Sequence, residues 1–300
     1  MADNPFVRAV IVGGSGAVGS LLARGLTGAG TRHLLLVDRR PPSAPLSDAA
    51  TFTAGDILRP PEEILRWIRS SDLVILATPE PVAIESLKCL LPAMKPDSLL
   101  VDTLSVKGRY ALALTARPTR TELLGVNPMF APELGFEGRS VVAVPYRGGP
   151  QSDAFLGLIT AWGSDVVCLS AESHDQACAA LQIVTHASVL AFGMALAAGG
   201  YDIAAAERIM PPPHRTMLAL LARIVAADPE VYRDIQSANP AAARARAGLV
   251  DAHRRLERIV ASDDPEPFHR LIGELREVLR GAQTDYAGLC ARLFEIKPAP

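Results

Sequence analysis

The chain is poor in cysteine and aromatic residues and almost without charge bias. Four cysteines among 300 residues, Cys89, Cys168, Cys178 and Cys290, stand far apart with neither C-x-x-C spacing nor a neighbouring histidine pair. This argues against a disulfide framework and against a zinc site, so no metal is expected and a reducing, cytoplasmic setting is the simplest one. The 30 basic and 32 acidic residues leave a formal net charge of −2, so no field of one sign invites a nucleic acid or an anionic membrane. The late basic residues Arg244, Arg246, Arg254, Arg255 and Arg258 are interleaved with Asp251 and Glu257 and read as a solvated helix face. The N-terminus, Met1-Ala-Asp-Asn-Pro-Phe-Val-Arg8, lacks the basic region and apolar stretch of a secretory leader. No repeat of fixed period and no low-complexity tract appears.

What is present is an ordinary globular balance, 49% hydrophobic and 21% charged over 300 residues, enough for two domains with a buried core. One stretch, Leu181 to Ala198, is apolar enough to raise a membrane question. Gln182, Thr185, His186 and Ser188 interrupt it, and polar groups are expensive in lipid. A buried helix fits better, and one that is apolar around most of its circumference points to burial within a dimer.

The strongest local signal is Val10-Ile-Val-Gly-Gly-Ser-Gly-Ala-Val-Gly19, an apolar run that stops at glycines and restarts as the helical pattern Leu21-Leu-Ala-Arg-Gly-Leu26. Gly14, Gly16 and Gly19 have the G-x-G-x-x-G spacing, which permits a tight turn, a close approach of backbone to a pyrophosphate, and packing of helix on strand. Ser15, Ala17 and Val18 lie within the turn and the helix start, where N–H groups would face the phosphates. About twenty residues further on, Leu34-Leu-Leu-Val37 ends in Asp38, whose carboxylate can accept both hydroxyls of an adenosine ribose. That carboxylate would repel a 2′-phosphate and favours NAD; Arg39 and Arg40 could hold such a phosphate instead, which keeps NADP as the lesser alternative.

Along the chain, Pro41 to Pro45 marks a loop and Ile64-Leu-Arg-Trp-Ile68 a short amphipathic helix. Asp72-Leu-Val-Ile-Leu-Ala-Thr-Pro79 is a buried parallel strand whose end, Thr78-Pro79, falls where ligands gather in open α/β sheets. A helix over Val82–Leu91 follows, then strands at Ser98–Asp102, Leu123–Val126, Val141–Val144 and Asp165–Leu169. From Ala171 the pattern turns helical, over Ser173–Ala198, Ala204–Met210, His214–Ala227 and Ala241–Leu279, punctuated by Met210-Pro-Pro-Pro-His214. The expected architecture is α/β: a Rossmann-type, doubly wound, mostly parallel sheet over residues 1–170, the dinucleotide-binding domain, followed by an all-helical substrate and dimerisation domain over 171–300. With only the short Lys297-Pro-Ala-Pro300 tail after the helical half, allostery through an appended domain is not expected.

Several stretches in this order resemble the prephenate dehydrogenase family: the Gly14–Gly19 fingerprint, Val101-Asp-Thr-Leu-Ser-Val-Lys107, Asn127-Pro-Met-Phe-Ala-Pro132, His174-Asp175-Gln176, His186 and Pro213-His-Arg215. The resemblance implies NAD(P)-dependent oxidative decarboxylation of a small cyclohexadienyl acid in a homodimer formed through the helical domain. It implies Arg215 as the carboxylate anchor, its planar fork suited to bidentate binding, Ser105 as a hydrogen-bonding partner of substrate, and His186 as a polar group near substrate. On the residues alone, Arg215 is equally a surface arginine, Ser105 a cap and His186 a core histidine. His174 and Asp175 are expected to form a helix N-terminal cap and an interdomain hydrogen bond.

One departure matters. The family normally has histidine before Pro-Met-Phe, where the imidazole accepts the proton of the C4 hydroxyl; here the residue is Asn127. An amide has no useful basicity near neutral pH, and the missing general base should cost about 10²–10⁴-fold on prephenate. A 4-amino substituent, with a more strongly donating lone pair, needs less help, which favours 4-amino-4-deoxyprephenate as substrate. Two alternatives stay open: prephenate or arogenate with the proton passed to His186 or a water chain, and a non-catalytic NAD-binding sensor.

Overall fold

A computed structural model describes residues 4–43, 47–227 and 229–296; the first three residues, the Lys297–Pro300 tail and part of the Pro41–Pro45 loop lie outside them. The chain divides into two compact units. The first comprises residues 1–178 and 238–240, the second 179–237 and 241–300.

The first unit alternates strands and helices: β1 (Arg8–Val12), α1 (Ala17–Gly28), β2 (His33–Asp38), β3 (Ala50–Ala54), α2 (Glu62–Ser70), β4 (Leu73–Leu76), α3 (Glu80–Ala93), β5 (Leu99–Asp102), α4 (Gly108–Thr115), β6 (Glu122–Pro128), β7 (Ser140–Arg147), α5 (Pro150–Ala161), β8 (Asp165–Cys168) and α6 (Ala171–Cys178). The sheet order is β3-β2-β1-β4-β5-β6-β7-β8. All neighbours are parallel except β6 and β7, which run antiparallel. Residues alternate strictly between the faces. Ala9, Ile11, Leu34, Leu36, Leu73 and Ile75 enter the core under α1 and α5, and Val10, Val12, Leu35, Val37, Val74 and Leu76 enter the core under α2 and α3. Burial on both sides is why these strands read as unbroken apolar runs; each fully buried aliphatic side chain contributes about 1.5–3 kcal/mol.

The chain leaves β1 toward β2 and β3, then crosses back to β4 on the other side of β1. The carboxyl ends of β1 and β4 therefore flank the topological switch point, the crevice where ligands bind in this architecture. The glycine turn follows β1, and Thr78 and Pro79 follow β4.

Past Cys178 there is no strand among the described residues. A π-helical segment over Ala179–Val184 precedes α7 (Thr185–Ala198), α8 (Ile203–Ala206), α9 (Pro212–Ala226), α10 (Pro229–Ala238), α11 (Ala242–Val260), α12 (Glu266–Leu279) and α13 (Gln283–Glu295). The expected all-helical half is present. The basic residues of α11 lie on a largely exposed helix, with Arg254 paired to Asp251 at 3.3 Å and Arg255 to Glu274 at 2.7 Å.

The burial expected for Leu181–Ala198 is not supplied by the described residues of the chain. Val189 is the one buried residue of α7, and Leu181 and Met194 are 62% and 73% exposed. The helix that includes α7 is long and apolar enough to cross a membrane by length and composition alone, with 17% of its most apolar window buried. The core of this unit is small, gathered on Ala179, Ile183, Ile235 and Ala242. Large apolar side chains such as Ile209, Val225 and Val278 stand in the open. Exposed apolar surface on this scale marks an interaction face.

Candidate active site

The turn after β1 is built so that only glycine fits at three positions. Gly13 has φ +78°, and a Cβ there would overlap the carbonyl oxygen of Ala77. At Gly14 a Cβ would lie 2.8 Å from Leu36 Cβ, and at Gly19 it would overlap the carbonyl oxygen of Gly13, where α1 presses on the turn. Gly16 differs. It is exposed, and the nearest atom to a Cβ there is Gly13 O at 3.3 Å. Gly16 is the N-cap of α1 and brings no side-chain cap, so the first-turn N–H groups at Ala17 and Val18 are left for an external anion.

Across the turn the carboxylate of Asp38 accepts hydrogen bonds from Ser15 N at 3.1 Å and Arg39 N at 2.7 Å. The Ser15 hydroxyl donates to Arg40 O at 2.7 Å, which ties the turn to the end of β2. Each carboxylate oxygen keeps a further lone pair, as a ribose diol requires. At the end of β4 the Thr78 hydroxyl oxygen is buried with no hydrogen-bond partner among the described residues, and Pro79 opens α3. This cradle fits a dinucleotide: an uncapped helix start beneath a side-chain-free glycine, and an acid at the end of the second strand.

A second group of polar side chains lies between β5 and β6. Asp102, the last residue of β5, stands in register with Gly125 of β6. Lys107 is fully buried; its ammonium lies 2.6 Å from Asp102 Oδ1 and donates to Val126 O at 3.0 Å. Burial pushes the lysine pKa down, against the pull of Asp102 and, further off, Asp175. A Cβ on Gly125 would come within 2.8 Å of the Tyr146 hydroxyl and 3.0 Å of both Asp102 Oδ2 and Lys107 Nζ, so glycine there makes room for the cluster. Burial, reinforced by Asp102, keeps the Tyr110 and Tyr146 phenols well above their ordinary pKa and hence neutral.

Two residues beyond Gly125, Asn127 is 3% exposed and meets α6 of the same unit. Its Nδ2 is 3.0 Å from His174 Nε2, and His174 Nδ1 is 2.8 Å from Asp175 Oδ1. The Asp175 carboxylate also accepts from the backbone N–H groups of Lys107 and Gly108, both at 2.8 Å. Asp175 is thus a helix N-terminal cap, but for α4 and not for its own helix, and its partners lie in its own unit. Cys178 Sγ lies 3.5 Å from His174 Nε2, with its thiol pushed up to about 11 chiefly by burial and so neutral. Ser105, between β5 and α4, is partly exposed.

In the second unit, His186 is half-buried in the first turn of α7. Its ring packs edge-on against Tyr232 at 4.9 Å, and its Nδ1 is buried without a hydrogen-bond partner among the described residues. Burial, then Arg223, holds its pKa below the ordinary value. Arg215 is half-buried in the first turn of α9, started by Pro212 and Pro213. His214 beside it packs against Phe192 and Tyr201.

Comparison with known proteins supplies the deciding observation. The chain is 44% identical over 289 residues, 96% of its own length and 97% of the other's, to a 4-amino-4-deoxyprephenate dehydrogenase of Streptomyces pristinaespiralis. The chain belongs to the prephenate dehydrogenase family. The family's nucleotide-binding domain matches residues 23–144 and its dimerization domain residues 170–274. A T-protein of Enterobacter agglomerans is 32% identical over 75% of this chain, which spans 55% of that longer protein. Among solved structures, prephenate dehydrogenase from A. aeolicus, in complex with hydroxyphenyl propionate and NAD+, is similar in fold, with a TM-score of 0.68 at 21% identity, over 90% of this chain and 95% of that one. Members of the family are oxidoreductases, and the first unit of this chain is its nucleotide-binding domain.

The glycine turn and Asp38, which the sequence points to, are brought together by the fold through the Ser15 N–Asp38 hydrogen bond. Spacing in the sequence does not single out Tyr146 and Cys178 or link His174 and Asp175 to Asn127. Only Asp102 and Lys107 gave a signal, as a carboxylate ending a buried strand with a lysine five residues on.

Proposed function

We propose that the protein catalyses the NAD-dependent oxidative decarboxylation of 4-amino-4-deoxyprephenate to 4-aminophenylpyruvate. The observation that carries this reading is Asn127, a buried amide where the family normally has histidine, in a chain 44% identical to an enzyme of that name. The hydride leaves C4 with its electron pair, the electrons of the bond to the ring carboxylate pass into the ring as carbon dioxide departs, and the ring becomes aromatic. Bound NAD would supply the hydride acceptor, so that each turnover of the free amine would give one NADH and one carbon dioxide; a substrate that arrives as the ammonium ion first gives up one proton. A hydroxyl at C4 needs its proton drawn away as positive charge develops, whereas an amino lone pair donates strongly enough to need only a hydrogen-bond acceptor.

The chain's own residues then hold and orient. The α1 start and Asp38 take the dinucleotide, with NAD preferred because Asp38 opposes a 2′-phosphate. Asn127 accepts an N–H of the C4 amino group, Ser105 hydrogen-bonds the substrate, and Arg215 and His186 serve its carboxylates and polar groups. The enzyme is a cytoplasmic homodimer, its exposed apolar helices covered by the second copy. The test follows NADH formation with 4-amino-4-deoxyprephenate, prephenate and arogenate side by side. Turnover of the amino compound far above the other two is expected. Comparable turnover of prephenate overturns the substrate assignment, and no turnover of any, with NAD still bound, identifies a sensor.

A further inference from the structure

We propose that His174 and Asp175 are positioning residues that fix which end of the Asn127 amide faces substrate, presenting the carbonyl oxygen. This rests on the reading of Asn127 as the acceptor for the C4 amino group. Asp175 anchors the relay. Its carboxylate takes the backbone N–H groups of Lys107 and Gly108 at the start of α4, one on each oxygen, and so faces the ring as an acceptor. A Cβ at Gly108 would stand 2.9 Å from Asp175 Oδ2, so glycine is what lets the carboxylate come this close. Asn239 donates to Asp175 O at 2.8 Å and pins the backbone as well.

An acceptor-only carboxylate 2.8 Å from His174 Nδ1 requires a proton on Nδ1. In the neutral ring Nε2 is then a bare lone pair, and it can only accept. The Asn127 atom 3.0 Å away must be the amide nitrogen; turning the amide over would set two lone pairs against each other. Oδ1 is left without a hydrogen bond from any described residue. Asp175 and Cys178 contact the ring directly, and the thiol is neutral; beyond Asp175, the Lys107 ammonium is committed to Asp102, and the neutral Tyr146 phenol lies near both carboxylates. The relay converts the helix cap of α4 into a choice of amide orientation, and a free oxygen suits an amino group in a way that an NH2 would not.

The test reads the ring first. Nitrogen NMR of the full-length protein with isotope-labelled histidine, with His174 assigned by loss of its signals in His174→Gln, should show a proton on Nδ1 and a bare Nε2 near neutral pH. A proton on Nε2 overturns the proposal, and this result does not depend on which acid is oxidised. Kinetics then separate positioning from packing. Gln at 174 can place an acceptor where Nε2 lies, so His174→Gln should keep most of the activity. His174→Leu should lower kcat by about 10²-fold while the KM for the acid and the Kd for NAD stay near the parent values. Loss of activity in both variants alike, or full kcat in a folded His174→Leu, overturns it. If the parent oxidises only prephenate, the substrate assignment fails while the same variants still test the relay on prephenate.

Discussion

Asn127 Nδ2 lies 3.0 Å from His174 Nε2, so the amide proposed to take the C4 amino group is itself held by a histidine. The two are 47 positions apart, on β6 and α6 of one unit. The His174 ring is fully buried and engaged on both nitrogens.

Restoring the imidazole should therefore alter substrate preference more than stability. Asn127→His is expected to raise kcat/KM on prephenate on the order of 10- to 10²-fold, the lower part of what general-base catalysis supplies, since His174 must repack around the larger ring. Initial rates on prephenate and on the amino compound give the ratio. An unchanged rate on prephenate would show that a missing base is not what limits that reaction.

Two glycines of the β1–α1 turn should fail in different ways. A methyl at Gly16 meets only Gly13 O at 3.3 Å, in the open space above the start of α1. Gly16→Ala should leave thermal stability intact and weaken NAD by about tenfold, or 1.4 kcal/mol, through crowding of the pyrophosphate. A methyl at Gly19 has nowhere to go but into the Gly13 carbonyl, and Gly19→Ala should cost about 1–3 kcal/mol of stability as an overpacked contact. Calorimetric binding and denaturant melts on both variants separate the two. Equal loss of stability in both would refute the assignment of Gly16 to the phosphates.

Much of this was legible in the sequence, for physical reasons. β1, β2, β4 and β5 are buried on both faces and so appear as continuous apolar runs that end in glycine, proline or aspartate. What escaped is structure whose support comes from far along the chain. β3 is an edge strand with no fully buried residue. α5 is capped by Glu122, whose carboxylate takes the N–H groups of Gln151 and Ser152, and α4 is capped by Asp175. Neither helix announces its own start with a capping side chain. The single periodicity over Ala241–Leu279 is two helices, broken between Val260 and Glu266. At the site the glycine spacing is local and could be read, whereas the Asn127–His174 pairing leaves no mark in spacing at all.

His186 should impose a pH dependence of known sign. Burial and Arg223 hold its folded-state pKa below 6.5, its unfolded value, so the unfolded chain takes up the proton first as pH falls. The stability it contributes is complete above about 6.5 and drains away as pH drops through that value toward the folded pKa. Urea melts at several pH values from about 7.5 down to about 5 should show a steeper fall for the parent than for His186→Phe, which keeps the packing on Tyr232 without the titration. Parallel curves would mean that His186 is not held neutral.

The Lys107–Asp102 pair makes a sharper demand, because both side chains are fully buried and 2.6 Å apart. Lys107→Met removes the ammonium and leaves a carboxylate with no counter-charge, a loss expected to cost about 3–5 kcal/mol. Asp102→Asn strands the ammonium instead, with Val126 O as its remaining partner, while the asparagine oxygen can still accept from Leu104 N, as Asp102 does at 3.1 Å. If desolvated charge is what each single variant suffers from, then Lys107→Met combined with Asp102→Asn should recover most of the loss, since neither uncompensated ion remains. Denaturant melts of the four proteins form a double-mutant cycle whose coupling energy reports this directly. Simple additivity of the two losses would show that the damage lies in packing around Gly125 and not in the charges.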